Sequence, residues 1–313
     1  MPPPTVEELV DGLLAGNRRA LSRLLTLIEN DSPEGRRALR LLYPKSGRAH
    51  TIGLTGSAGA GKSTLSGAIA REMRRRGRTL GIVAIDPTSP FSQGALLGDR
   101  IRMQDLTSDA EVFVRSMATR GNLGGLAPST AGVVTALDAF GKDVVLVETV
   151  GAGQDEVEVA AMADTTVVVL TPGFGDDVQA MKAGIMEIAD ILVVNKCDLP
   201  NADLIARQLS AMMDASPLAR KTPIVKTAGA HGEGVGELLD ALEEHRAYIA
   251  TTNVRESHRR AQARHQVLTL ARQRLIDRLV AQHGGDGRID ALAEQVARRE
   301  IDPHSAADLL IGE

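Results

Sequence analysis

The sequence predicts an α/β protein in which a mostly parallel sheet carries helices on both faces. Between residues 51 and 250, short apolar runs of strand length alternate with longer segments of helical periodicity, and this alternation is typical of βαβ units. Aromatic residues are scarce, with no Trp, two Tyr and four Phe, so the core must be aliphatic, which suits helices packed on a parallel sheet. Hydrophobic residues make up 43% and charged residues 24% of the 313 residues, and these values exclude disordered and collagen-like chains.

Three segments of the chain differ in their patterning. Residues 1–44 carry apolar positions at helical spacing and predict an N-terminal extension of two or three short helices. Residues 45–250 hold the alternating pattern, and residues 251–313 predict an arginine-rich C-terminal helical arm that makes protein contacts. The predicted strands are Thr51 to Thr55, Leu80 to Asp86, Val144 to Glu148, Thr166 to Thr171, Ile191 to Asn195 and Ile224 to Thr227. Ligand sites in such sheets lie at the carboxyl ends of the strands.

Charge and cysteine content narrow the possible functions. The 36 Lys and Arg against 40 Asp and Glu give a net charge of −4, which provides no global field for nucleic acid or an anionic membrane. Seven arginines between Arg255 and Arg278 are interpreted as a solvated helix face, because no aromatic residues are interleaved with them. No apolar run approaches the roughly 18 residues of a membrane helix. The single cysteine, Cys197, suits a reducing compartment, so we expect a soluble cytoplasmic protein.

The most specific motif is a glycine-rich segment directly after the first predicted strand. It runs Gly56-Ser57-Ala58-Gly59-Ala60-Gly61-Lys62-Ser63, with Thr64 following. The segment matches the phosphate-loop pattern G-x-x-x-x-G-K-[ST] between a strand and a helix. Its glycines let backbone N–H groups surround a phosphate, Lys62 reaches the β- and γ-phosphate oxygens, and the Ser63 hydroxyl can hold Mg²⁺. We therefore predict a P-loop nucleotide-binding fold with residues 56–64 on the nucleotide.

A second motif predicts which base is bound. Asn195-Lys196-Cys197-Asp198 ends another strand and matches N-K-x-D. A carboxylate at Asp198 can accept hydrogen bonds from the N1–H and the 2-amino group of guanine, whereas adenine offers neither donor, so the motif favours GTP over ATP. Thr227-Ala228, after the last strand, is expected to close over the base and donate backbone N–H groups to it.

Two further strand ends supply acidic residues. Asp86 ends the second predicted strand, and Glu148 ends the third in the sequence Glu148-Thr149-Val150-Gly151. A metal and phosphate site needs such acids to hold Mg²⁺ directly or through its waters. Gln154 is displaced from the usual position of a water-orienting residue, so hydrolysis by this chain alone is expected to be slow.

Taken together, these motifs resemble the methylmalonyl-CoA-mutase-associated GTPases of the MeaB/ArgK family, which belong to the same class as the signal-recognition and nickel-insertion GTPases. The resemblance covers nearly the whole chain. The matching segments are Ile85 to Phe91, Gly98 to Met103, Ser116 to Gly121 and Glu148 to Gly151. The stretch from Thr171 to Lys182 resembles the mobile loop by which the family signals its nucleotide state.

The resemblance implies a homodimeric G protein that binds GTP and GDP with Mg²⁺ and docks on an adenosylcobalamin-dependent acyl-CoA mutase. In that family, GTP hydrolysis is coupled to loading of the cofactor and to protection of the mutase. The resemblance assigns Asp86, Asp99 and Glu148 to the metal and the attacking water, and it assigns dimerisation to the C-terminal arm. Three alternatives stay open from the residues: a nickel-insertion GTPase, a P-loop kinase or transport ATPase, and a binding module without turnover.

Overall fold

The structure is a computed structural model that describes residues 3–86, 104–118, 128–149, 155–172, 188–214, 221–252, 254–282 and 286–312. The chain divides into two compact units, Met1–His258 and Arg259–Glu313. The predicted limits of the extension and the arm, at residues 44 and 250, stay predictions.

The first unit contains a seven-stranded sheet in which all neighbouring strands are parallel. Its strands are β1 (His50–Gly56), β2 (Leu80–Asp86), β3 (Val112–Ala118), β4 (Val144–Thr149), β5 (Thr165–Leu170), β6 (Ile191–Asn195) and β7 (Ile224–Thr227). Their order across the sheet is β3-β2-β4-β1-β5-β6-β7. The predicted fold class is confirmed, and the predicted bounds of β2, β6 and β7 match the structure.

One strand, β3, was not predicted. Arg115 and Ser116 interrupt its apolar pattern, and a strand at the edge of a sheet needs fewer apolar residues than a central one. The guanidinium of Arg115 pairs with the carboxylate of Glu29. This ion pair lets a charged residue occupy a strand beneath the N-terminal helices.

The helices of the first unit cover both faces of the sheet. They are α1 (Val6–Leu14), α2 (Arg18–Glu29), α3 (Pro33–Leu42), α4 (Lys62–Arg75), α5 (Gln104–Thr107), α6 (Pro128–Ala139), α7 (Asp155–Met162), α8 (Ala202–Asp214) and α9 (Val235–Thr251). A short 3₁₀ turn, Tyr43–Lys45, precedes β1. Three helices form in the N-terminal segment, where two or three were predicted, and a side-chain cap begins each of them, from Thr5, Asn17 and Ser32. Such caps satisfy backbone N–H groups that have no partner within the helix.

Side-chain alternation along the strands divides the core into two layers. In β4, Val144 and Leu146 belong to the cluster shared with α4 and α9. Val145 and Val147 belong to the cluster shared with α1, α2, α3 and α6. The N-terminal helices therefore pack as part of the first unit, on the face opposite α4.

Three aspartates tie the amino ends of neighbouring strands together. Each precedes a strand and accepts a hydrogen bond from the backbone N–H of a threonine in or beside the next strand. The pairs are Asp143 with Thr79 at 2.8 Å, Asp164 with Thr51 at 2.9 Å and Asp190 with Thr166 at 2.8 Å. A charged acceptor satisfies N–H groups that the ladder leaves unpaired at its start.

A buried chain of polar side chains links β1, β5 and α9 at the same end of the sheet. His50 Nε2 and His245 Nδ1 each lie 2.8 Å from the hydroxyl of Thr165, and His245 Nε2 lies 3.2 Å from Asp190. If Nε2–H of His245 donates to Asp190, then Nδ1 accepts from Thr165, whose oxygen accepts from Nε2–H of His50. One arrangement of protons thus gives a donor and an acceptor to each of these three contacts.

Replacing this central hydroxyl is expected to destabilise the fold. Thr165→Val keeps the shape of the side chain but leaves two buried ring nitrogens without their partner, so the free energy of unfolding should fall by about 2 to 4 kcal/mol. Urea unfolding would measure the change, and Thr165→Ser should recover most of it. A Thr165→Val protein as stable as the wild type would contradict the proposed arrangement.

Most of the described residues of the second unit are helical. Helix α10 (Val254–Gln282) enters it, and α11 (Asp286–Ala297) and α12 (Pro303–Ile311) follow. Arg288 donates to the carbonyl of Leu309 at 2.9 Å, and Asp302 caps α12 through the backbone N–H groups of His304 and Ser305. Among the described helices of the whole chain, none is long and apolar enough to cross a membrane.

Candidate functional site: a phosphate loop joined to a base loop

The phosphate loop has the backbone that its glycines permit. Gly56, Gly59 and Gly61 have φ values of 137°, 76° and 85°, and residues other than glycine rarely adopt such positive values. A Cβ on Gly56 would lie 2.1 Å from the carbonyl oxygen of Val169. The loop is thus pressed against β5 at a point where a side chain has no room.

The phosphate loop ends at the start of α4, where cationic and dipolar groups converge. Lys62 is buried, and its Nζ donates to the carbonyls of Gly56 at 2.7 Å and Ser57 at 2.9 Å. No described side chain caps α4, so the first N–H groups of the helix suit an anion. Ser63 and Thr64 are only partly buried in this first turn. The predicted residues 56–64 thus surround one end of a helix dipole.

Asn195 joins the phosphate loop to the segments that follow β6 and β7. Its side chain is 2% exposed, and its Nδ2 donates to the carbonyl of Ala60 at 2.8 Å. Its Oδ1 accepts from the Thr227 hydroxyl at 3.0 Å and from the Gly229 N–H at 3.1 Å. A Cβ on Gly61 would lie 2.6 Å from this Nδ2, so glycine is needed there for the contact between the loops.

The residues after Asn195, namely Lys196 to Asp198, complete the loop that is here called the base loop. Backbone conformation and hydrogen bonds hold these residues in place. Lys196 has a positive φ of 58°, and its Nζ donates to the carbonyl of Gly59 at 2.8 Å. The N–H of Cys197 donates to the carbonyl of Thr227 at 3.0 Å. Burial, together with the charges of Glu233 and Asp198, raises the pKa of the Cys197 thiol, so the thiol stays protonated. Asp198 itself is exposed, as a carboxylate that meets a ligand must be.

The segment after β7 differs in one respect from the expectation for Ala228. The Ala228 N–H donates to the carbonyl of Glu233 at 3.0 Å, and the N–H of His231 donates back to Ala228 at 2.8 Å. A backbone donor for a base at this position is therefore already engaged in a turn. Gly229 comes close to α4 instead, since a Cβ on it would lie 3.1 Å from Cα of Leu65. Sequence reasoning missed both Gly229 and the turn closed by Glu233.

The predicted acids lie at strand ends of the same edge, as far as the structure describes them. Glu148 is fully buried near the end of β4, in register with Leu54 of β1 and Ala84 of β2. Alternation places it on the face that packs against α4. Asp86 ends β2, paired with Ala118 of β3, and its side chain lies outside the described part. Asp99 and the stretch 173–182 also lie outside the described residues.

The described portion of the site joins a set of donors suited to an anion with the loop that follows β6. The loop, Lys62 and the start of α4 supply donors for phosphate, and the base loop is hydrogen-bonded to the same loop through Asn195. Within the described residues, no group of three or more His, Cys, Asp or Glu side chains could hold a metal ion by itself. Ser63 and Glu148 provide the oxygen atoms that Mg²⁺ prefers beside phosphate oxygens.

The fold and the site define a P-loop nucleotide-binding protein. The crystal structure of a LAO/AO transport system kinase shares this fold, with a TM-score of 0.74 and 23% identity over 99% of this chain and 97% of that one. Residues 21–284 match the family described as methylmalonyl Co-A mutase-associated GTPase MeaB. The chain belongs to this family.

Two relatives support the assignment to the family. A protein of Pyrococcus abyssi that is named as a GTPase is 44% identical, with 98% of this chain and 96% of that protein covered. The mouse protein named methylmalonic aciduria type A homolog, mitochondrial, is 31% identical, over 98% of this chain and 79% of that protein.

Proposed function

We propose that the chain is a Mg²⁺-dependent GTPase that acts as a G-protein chaperone for an adenosylcobalamin-dependent acyl-CoA mutase, in the first place methylmalonyl-CoA mutase. In this role it would gate loading of the cofactor and protect or reactivate the mutase. The observation that carries the proposal is the contact through Asn195 of a phosphate loop with a base loop, in a chain of the MeaB family.

The phosphate groups would be held chiefly by charge and by backbone donors. Lys62 exchanges its carbonyl partners for the β- and γ-phosphate oxygens, and the N–H groups of residues 56–64 surround the β-phosphate. Ser63, Glu148 and Asp86 would hold Mg²⁺, directly or through water. When bound, the ion neutralises charge that develops on the phosphate oxygens.

Hydrolysis requires a water molecule in line with the γ-phosphate. Glu148 or Asp99 would orient this water, and Lys62 would stabilise the charge of the transferred group. Because this site depends on positioning more than on covalent chemistry, a partner that orders the water or adds charge accelerates it. We therefore propose slow hydrolysis by the chain alone and stimulation by the mutase.

Guanine selectivity would come from Asp198, which is exposed beside the buried Asn195. The carboxylate accepts from N1–H and the 2-amino group of the base. Thr227 would support this loop through its hydroxyl bond to Asn195. If Ala228 is to donate to the base, its N–H must leave the carbonyl of Glu233.

The C-terminal arm would form a homodimer through α10. Leu268 and Leu275 lie seven residues apart on one face of the helix, and they are 48% and 65% exposed. Val267 and Ile276, beside them, are 64% and 48% exposed. Several large apolar side chains left exposed along one helix are typical of a surface that a partner covers.

Leu275→Glu is expected to convert a dimer to a monomer, because a charge at the centre of an apolar contact is not compensated on burial. Light scattering after size exclusion would show the mass fall from twice 33.1 kDa to 33.1 kDa. Leu204→Glu, at a 52% exposed leucine of α8, is the control and should leave the mass unchanged. A dimer that survives Leu275→Glu would place the interface elsewhere.

The decisive experiment joins the purified chain with methylmalonyl-CoA mutase. We expect the two to co-elute in a nucleotide-dependent manner and phosphate release to rise about tenfold or more. Complexes should be compared with GDP and with a non-hydrolysable GTP analogue. If no complex forms in either state and hydrolysis is unchanged, the chaperone role is wrong while the GTPase role stands.

A further inference from the structure

Two buried hydroxyl groups lie near the carboxyl ends of β1 and β4. Thr55 is the residue before Gly56, and Thr149 is the last residue of β4. They are 0% and 4% exposed, and the Thr149 hydroxyl donates to the Thr55 hydroxyl across 3.4 Å. The contact joins the ends of two adjacent strands at the edge of the sheet where the nucleotide would lie.

The faces of the strands separate these hydroxyls from Glu148. Leu54 of β1 lies in the core shared with α4, and Glu148 is in register with it. Thr55 and Thr149, one residue further along each strand, therefore face the opposite layer. Thr149 is covalently next to Glu148, so a bond that holds Thr149 restrains the backbone that carries the Glu148 side chain.

The opposite layer is closely packed at this point. A Cβ on Gly53, which shares a face with Thr55, would lie 2.5 Å from Cγ1 of Val159 in α7. Valine would fill the same volume as threonine here without the cost of burying a hydroxyl. A pair of hydroxyls at two such positions supplies what packing does not, namely a directional bond between β1 and β4.

We propose that Thr55 and Thr149 are a positioning pair, whose hydroxyl contact holds Glu148 at a fixed place relative to the phosphate loop. The inference rests on the proposed GTPase function and adds two residues to it. Neither hydroxyl is expected to touch the nucleotide. Loss of the bond should therefore slow hydrolysis without weakening nucleotide binding.

The test is single-turnover GTP hydrolysis with excess protein and Mg²⁺, together with GTP affinity. Thr149→Val should lower the hydrolysis rate about three- to tenfold, the equivalent of one hydrogen bond, with GTP affinity changed less than about twofold. Thr149→Ser keeps the hydroxyl and should recover the rate. Thr51→Val is the matched control, because Thr51 lies on β1 and on the same face as Thr55, but at the other end of the strand. The hydrolysis rate of this variant should equal that of the wild type.

Thr55→Val combined with Thr149→Val should be no slower than the slower single variant, as expected when two residues share one interaction. Wild-type hydrolysis by Thr149→Val, a Ser variant as slow as the Val variant, or additive effects in the double variant would overturn the pair and leave the GTPase standing. Absence of GTP hydrolysis by the wild type would overturn both.

Discussion

Asp198→Asn is expected to replace GTP binding by binding of xanthosine triphosphate. The carboxylate accepts two hydrogen bonds from guanine, whereas an amide accepts one and donates one, which suits the N1–H and the 2-oxo group of xanthine. With guanine, the amide oxygen can still accept from N1–H, but the amide NH2 faces the 2-amino group, and these two donors are left without acceptors. At roughly 1 to 3 kcal/mol for each unpaired group, GTP binding should weaken about a hundredfold or more. Competition with a fluorescent guanine nucleotide measures both affinities.

Asp11→Asn is the control for this change, since Asp11 is also exposed but lies on α1. It should leave both affinities as they are in the wild type. Because Asp198 is exposed, its replacement should leave the free energy of unfolding within about 0.5 kcal/mol of the wild type. Unchanged GTP affinity in Asp198→Asn would remove Asp198 from the base site.

Lys62→Ala is expected to abolish useful nucleotide binding. The side chain would lose charge-assisted hydrogen bonds to two phosphate groups, so GTP affinity should fall by about a hundredfold or more. The measurement is isothermal titration with GTP and with GDP, and both should weaken.

The effect of Lys62→Ala on folding should be much smaller. In the structure Lys62 donates to two loop carbonyls, which solvent can satisfy in part once the chain is shortened. Thermal unfolding would verify this, with the exposed Lys45→Ala as a control for loss of a lysine. A Lys62→Ala protein that hydrolyses GTP at the wild-type rate would contradict the assigned role.

The strands were predicted where apolar runs are continuous, and prediction was weakest where tertiary contacts compensate for polar residues. The central strands β1, β4, β5 and β6 are buried along their whole length, so each is visible as an apolar run. Arg115 in β3 is acceptable only because Glu29, 86 residues away, lies beside it. This pairing cannot be predicted from the residues next to Arg115 in the sequence.

In the candidate site, too, some features could be predicted from the sequence and others could not. Gly56, Gly61, Lys62 and Ser63 were predicted because a phosphate loop is made of consecutive residues whose spacing is itself the constraint. The turn between Ala228 and Glu233 was not predicted, and it engages the N–H that had been expected to meet the base. Backbone hydrogen bonds of this kind depend on φ and ψ rather than on residue type, so a motif does not reveal them.

The sequence by itself determined the family, the glycine-rich loop, the N-K-x-D motif and the parallel sheet, because each is encoded by local spacing or by apolar periodicity. Only the tertiary structure decided how these parts meet. Asn195 contacts Ala60 across 135 residues of sequence, and His50 contacts Thr165 across 115. The physical reason is that a buried polar side chain must find its partners wherever the fold brings them, and sequence separation does not limit that search.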